Sequence, residues 1–237
     1  IARLELAHVK ATRPLDYRKL GAHRVNTIGK LIEAKSLFAG VEVDVVFDNK
    51  AGDFFVYHPP KESHGLKLRE LLLAAKDRAD LWFWLDWKNA KEEYFDAAFS
   101  RLDALENEFS IKSRTLVETG SDAIFSLLRG LSRSGFTHSY YLPTREAILC
   151  TQQPRETKCV EFAKAVAARA RQIGAGVISF DGNASQFINA NMHNFADLRI
   201  ASWQLNLSAS DQGFSSKIGP LDGIDILLVR FPSIFFY

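Results

Sequence analysis

The stretch "GVEVDVVFD", Gly40 to Asp48, decides the fold. Val41, Val43, Val45, Val46 and Phe47 favour a strand, because branched and aromatic side chains pack well on a pleated surface. The apolar residues fall on both faces of that strand, which reads as a strand covered on both sides, as in a parallel sheet flanked by helices. Two acids interrupt it. Glu42 and Asp44 stand two residues apart and so share one face. Like charges that close raise each other's pKa, so something positive is expected beside them.

Working outward, "LWFWLDWKN" (Leu81 to Asn89) repeats the arrangement. Asp86 and Lys88 stand two apart at the end of an even more apolar run, in which Trp82, Phe83, Trp84 and Trp87 are expected to face the barrel interior and the helices by turns. Short apolar runs alternate with helical stretches along the whole chain. Strands are expected in "YRKLGAH", "VEVDVVFD", "LWFWLDWKN", "RTLVETG", "HSYYLP", "GVISFDG", "RIASWQLN" and "IDILLVRFP", with "FFVYH" as a hairpin or loop arm. Helices are expected in "TIGKLIEAKSLFAG", "LKLRELLLAAKDRA", "AKEEYFDAAFSRLDALENEF", "SDAIFSLLRGLSRSG" with Ser121 as its N-cap, "KCVEFAKAVAARARQIG" and, more weakly, "ASQFINANMHN". Eight such units in 237 residues suit a single-domain TIM (β/α)8 barrel, of the α/β class, over residues 1–237. An open doubly wound sheet is the alternative, but no glycine-rich phosphate loop follows the first strand to support it.

Composition narrows the partners. Hydrophobic residues make up 47% of the chain, enough for a large core, and the formal net charge is only +2. With no Lys/Arg-rich run, a nucleic-acid surface is not expected. No apolar run is long enough to span a bilayer, and the N-terminus has no signal-like apolar core. Cys150 and Cys159 are too few for a disulfide framework and read as reduced thiols of an intracellular, cytoplasmic chain. The aromatic C-terminus, "FPSIFFY", reads as a segment packed on the domain.

In a barrel the chemistry sits at the C-terminal ends of the strands. Those ends carry His23, Glu42 and Asp44, His58, Asp86 and Lys88, Glu118, Asp181, Trp203 with Gln204, and Arg230. Taken singly, such residues are loop histidines and helix caps; as a set they are harder to explain so, since buried charges are rare unless paired or bound to a metal. Glu42, Asp44 and Asp86 come from adjacent strands, and hard oxygen ligands of this kind suit Mg²⁺ or Ca²⁺. His23 and His58 could act as general acid and base near neutral pH. Lys88 could neutralise a phosphate oxygen. The constellation describes metal-assisted opening of a phosphodiester.

The order His23-Arg24, Glu42-x-Asp44, His58, Asp86-x-Lys88 resembles the glycerophosphodiester phosphodiesterase superfamily, which includes sphingomyelinase D-like enzymes and phosphatidylinositol-specific phospholipase C. The resemblance implies a TIM barrel, with His23 and His58 as the acid/base pair. It implies one divalent cation, Mg²⁺ or Ca²⁺, on Glu42, Asp44 and Asp86. It places Arg24 and Lys88 on the phosphate, with Glu118 and Trp203 completing the substrate site. The substrate would be a small-molecule or lipid phosphodiester. Val25 stands where glycerophosphodiesterases commonly have glycine, and Pro59 follows the second histidine where they commonly have Asp. The compact spacing from "HPP" to "LDWK" is more similar to the sphingomyelinase D-like branch. Two rival readings use the same residues: a phosphodiester-handling transferase or cyclase, and a non-catalytic barrel that binds through a relic site. His8, His64, His138 and His193 read as structural, and the loops after Pro143 and Asn206 as those that set substrate choice.

Overall fold

The computed structural model describes residues 19–120, 130–131, 134–151, 156–208 (205–207 as backbone alone) and 223–232. Strand β1 (Leu20–His23) leads through helix α1 (Ile28–Leu37) to β2 (Gly40–Asp48), which is buried over all but its last residue. Then follow β3 (Asp53–Val56), α2 (Leu68–Ala74), β4 (Trp82–Trp87), α3 (Phe95–Phe109) and β5 (Thr115–Thr119). The second half holds β6 (Thr137–Tyr141), α4 (Thr144–Thr151), α5 (Thr157–Ile173), β7 (Val177–Asp181), α6 (Ser185–Ala190), β8 (Arg199–Ser208) and β9 (Ile226–Arg230).

Eight strands pair in parallel in the order β1-β2-β4-β5-β6-β7-β8-β9, and β9 returns to β1, closing a TIM barrel. β3 lies outside the ring, antiparallel to β2, as the hairpin expectation for "FFVYH" has it. It can do so because β1 is short. β1 pairs with β2 only at Gly40 and Val41, which leaves the edge of Val45–Asp48 for β3. Successive side chains then divide between two cores. Val41, Val43, Phe83, Leu85 and Trp87 join the shell between barrel and helices, while Trp84, Leu116, Val177, Ala201, Ile226 and Leu228 fill the barrel itself.

Register brings the inward residues into layers. At the bottom, the Trp82 ring lies over Gly40 and Gly21 on β2 and β1, the next two strands round the barrel, where a Cβ at either position would overlap it. The ring can lie there only because both positions lack a Cβ. Gly40→Ala is expected to destabilise the chain by about 1–3 kcal/mol or somewhat more, the usual range for overpacking a filled core; a urea melt with an unchanged midpoint would contradict this.

Two expectations differ from the structure. Cys150 and Cys159 form a disulfide, with Cα atoms 5.5 Å apart, instead of standing as free thiols. The bond joins the last turn of α4 to the first turn of α5, which a cysteine count cannot reveal. The support that free thiols lent to an intracellular chain goes with it. The segment after Pro143 is also a helix, α4, and not an irregular loop. The expected helix beginning at Ser121, most of the loop after Asn206 and the end of the aromatic C-terminus lie outside the described residues. Among those described, no helix is long and apolar enough to cross a membrane.

Candidate active site

The inward alternation of β2 and β4 sets Asp44 opposite Asp86, and Asp86 opposite Glu118 on β5, in one rung at the C-terminal end of the barrel. Glu42 stands one layer below, beside Trp84. One carboxylate oxygen from each of Glu42, Asp44 and Asp86 lies within 4.8 Å of the others, so these three converge as expected. Glu118 stays outside that trio. Its carboxylate accepts from Ser139 Oγ at 3.2 Å and it lines the same cleft.

Each histidine stands beside a different acid. His23 Nε2, at the end of β1, is 3.6 Å from Glu42 Oε2. His58 Nε2, after β3, is 4.0 Å from Asp44 Oδ1 and 3.3 Å from Arg24 Nη2. His58 Nδ1 meets the Pro59 carbonyl, which fixes the ring and leaves Nε2 turned to the site. Lys88 Nζ is 3.0 Å from Asp44 Oδ1 and pairs also with Asp86. A cleft of about 360 Å³ runs over this cluster, lined by His23, Arg24, Glu42, Asp86, Lys88 and Glu118, with Trp84, Tyr141 and Trp203 as its aromatic wall. Tyr141 stacks on Trp203 at 5.2 Å, and Trp84 meets Trp203 edge-on at 6.2 Å.

Burial dominates the electrostatics. It pushes the Glu42 carboxyl well above its ordinary range, and Asp44 and Asp86 add to the push. It raises Asp86 as well, against the pull of Lys88. Burial works against charge on Lys88 too, but Asp86 and Asp44 overcome it and hold the ammonium above its usual pKa. His23 is lowered to about 4, first by burial and then by Arg24, so its ring is neutral at pH 7. Glu42 Oε1 is buried without a hydrogen-bond partner. An orphaned buried carboxylate oxygen beside two further acids is what a hard cation would satisfy, so these three residues fit a divalent ion of oxygen-ligand preference.

Glu118 allows a pH test. Burial first, and Asp86 next, raise its carboxyl to about 8 from an ordinary 4.5. Folding therefore takes up a proton between those values, and the stability this group contributes is lost as pH rises toward 8. Metal-free Glu118→Gln, which mimics the protonated form, is expected to melt above wild type at pH 8, with the gap narrowing toward pH 5. Parallel melting curves across that range would contradict this.

Three further strand-end residues, Asp181, Gln204 and Arg230, are not among those lining the cleft. Asp181 accepts from Asn183 N at 2.8 Å and caps the short turn after β7. Gln204 bonds Ser185 and Ser202. Arg230 is exposed at the end of β9. His138 is buried on the outer face of β6. Tyr141, Trp84, Thr119 and Asn26 belong to the site and were missed. Tyr141 had a signal, since it ends the strand "HSYYLP" in the inward register. Asn26 had none: its side chain reaches back to exchange hydrogen bonds with Asp44, at 2.6 Å from Nδ2 to Oδ2 and 3.0 Å from Asp44 N to Oδ1.

No protein-family model and no curated protein matches the chain. Solved structures do. A glycerophosphodiester phosphodiesterase from Parabacteroides distasonis superposes with a TM-score of 0.62 at 13% identity, over 89% of this chain and 92% of that one. The barrel is the one such phosphodiesterases are built on. One from Agrobacterium tumefaciens gives 0.56 at 14% identity, over 90% and 96%. An Oleispira antarctica phosphodiesterase, in complex with its product sn-glycerol-3-phosphate, gives 0.61 at 12% identity, over 89% and 92%. At these identities the likeness is one of fold.

Proposed function

We propose that this chain is a divergent member of the glycerophosphodiester phosphodiesterase superfamily, a metal-dependent phosphodiesterase acting on a glycerophosphodiester- or phospholipid-like substrate. The observation that carries the reading is the placing of two histidines, each within 4.0 Å of a different carboxylate of a convergent acidic trio, at the C-terminal mouth of a barrel. The matching fold of several phosphodiesterases, one of them holding glycerol-3-phosphate, supports it.

Glu42, Asp44 and Asp86 would hold the cation, which supplies charge stabilisation to a phosphate oxygen when bound. The sequence expectation of Mg²⁺ or Ca²⁺ stands within this proposal. Arg24 and Lys88, both facing the cleft, would bind the remaining phosphate charge. His23, kept neutral by burial, is suited to take the proton of the attacking hydroxyl or water. His58, on the more exposed side of the acids, would give a proton to the departing alkoxide. Glu118 and the Trp203–Tyr141 wall would seat the substrate beyond the phosphate.

The test is metal dependence. Stripped protein is expected to cleave a glycerophosphodiester only after Mg²⁺ or Ca²⁺ is restored, and equal turnover in chelator would overturn the reading. A free monoester marks hydrolysis, whereas a cyclic phosphate marks attack by a hydroxyl of the substrate.

A further inference from the structure

The segment between β1 and α1, "RVNTIGK", carries an unusual pair of features. Arg24 has φ of +55°, a left-handed conformation that costs a non-glycine residue about 1–2 kcal/mol and persists only when its surroundings impose it. Lys30, in the first turn of α1, sends its ammonium back over that residue. Its Nζ donates to the carbonyls of both His23 and Arg24, each at 2.8 Å.

Neither helix electrostatics nor solvation explains a lysine there. Thr27 caps α1 and accepts from Lys30 N at 3.1 Å, so Lys30 occupies the third helical position, where a capping box has Glu or Gln. A cation in the first turn opposes the helix dipole. Burial also acts against its charge, lowering the ammonium to about 8 despite the pull of Glu42. What the position gains is the pair of carbonyls. With the peptides on either side of Arg24 held so, the Arg24 N–H points at Glu42 Oε2, 2.6 Å away, and Val25 N reaches the Glu42 carbonyl at 2.8 Å.

We propose that Lys30 is a positioning residue of the acidic site. It pins the carbonyls of His23 and Arg24, and so holds the left-handed turn that aims the Arg24 amide at Glu42 and the Arg24 guanidinium toward His58. The proposal deepens the phosphodiesterase reading, since the parts it orients are the catalytic ones that reading names.

The test uses Lys30→Met, which keeps length and helix propensity but removes the donor. Backbone amide exchange is followed by NMR on the metal-free chain, with a thermal melt to confirm folding. Arg24 N–H is expected to exchange about tenfold faster than in wild type, the scale on which losing an orienting contact is felt. The Leu31 amide, bonded to the Thr27 carbonyl, is expected to keep its rate. Lys30→Arg, which retains donors, is expected to restore the slow exchange. In turnover, Lys30→Met is expected to lower kcat about tenfold or more with KM within about threefold. Unchanged Arg24 exchange in Lys30→Met overturns the role of Lys30 whatever the turnover. Accelerated exchange in a chain that cleaves no diester supports that role and counts against the phosphodiesterase reading alone.

Discussion

Replacing His23 or His58 by alanine is expected to lower phosphodiester turnover by about 10²–10⁴-fold, the usual worth of a positioned proton donor or acceptor. The two losses should differ in kind. His23 is mostly enclosed, 14% exposed at the side chain, and close to Glu42; His58 is 34% exposed and held by its own neighbouring carbonyl and by Arg24. Neither ring fills the core, so both variants are expected to melt close to wild type. Steady-state kinetics on a diester with an activated leaving group refines the assignment. Such a group needs no proton on departure, so His58→Ala should recover much of its activity there and His23→Ala should not. Wild-type turnover in either variant, on a substrate with an ordinary alcohol leaving group, would sink the assignment of that histidine.

The second large effect concerns the acidic trio. Glu42→Gln is expected to abolish measurable Mg²⁺ and Ca²⁺ binding by titration calorimetry, and with it turnover, while raising the melting temperature of the metal-free chain. The opposite signs follow from one cause. Glu42 is buried, and its charge is disfavoured first by that burial and then by Asp44 and Asp86. In the folded chain it holds its proton to a higher pH than when unfolded, so its stabilising contribution is lost as pH rises through that raised value. A neutral amide removes the repulsion and still offers an oxygen to the Arg24 amide. A ligand that binds only the folded chain stabilises it by about 2.7 kcal/mol at a hundred times its dissociation constant. Wild type should gain melting temperature on adding the ion, and Glu42→Gln should not. An equal metal-induced shift in both would place the ion elsewhere.

Much of this site was legible because strands convert spacing into direction. Glu42 and Asp44, two apart in a run of valines, had to share a face. The same rule put Asp86 and Lys88 together on the next strand, and the parallel register then set Asp44, Asp86 and Glu118 level. The eight-unit barrel followed from the alternation of buried strands and helices. Contacts that depend on side chains reaching along the backbone left no pattern to read. Asn26 and Lys30 both lie on the turn into α1 and look like ordinary cap residues, yet one clasps Asp44 and the other the Arg24 carbonyl. The Cys150–Cys159 bridge joins the end of α4 to the start of α5, which spacing alone does not set. Asp181 shows the converse: a carboxylate at a strand end, in the right place for chemistry, that serves as a turn cap.

Metal-dependent cleavage can be read by ³¹P NMR on the metal-stripped chain with a panel of glycerophosphodiesters and lysophospholipids, with Mg²⁺, with Ca²⁺ and with chelator. One diester signal is expected to give way to a monoester or cyclic phosphate signal only when the ion is present, and His23→Ala is expected to leave the diester intact. A diester signal that persists across the panel in the metal-loaded wild type, or that disappears equally in His23→Ala, would contradict this.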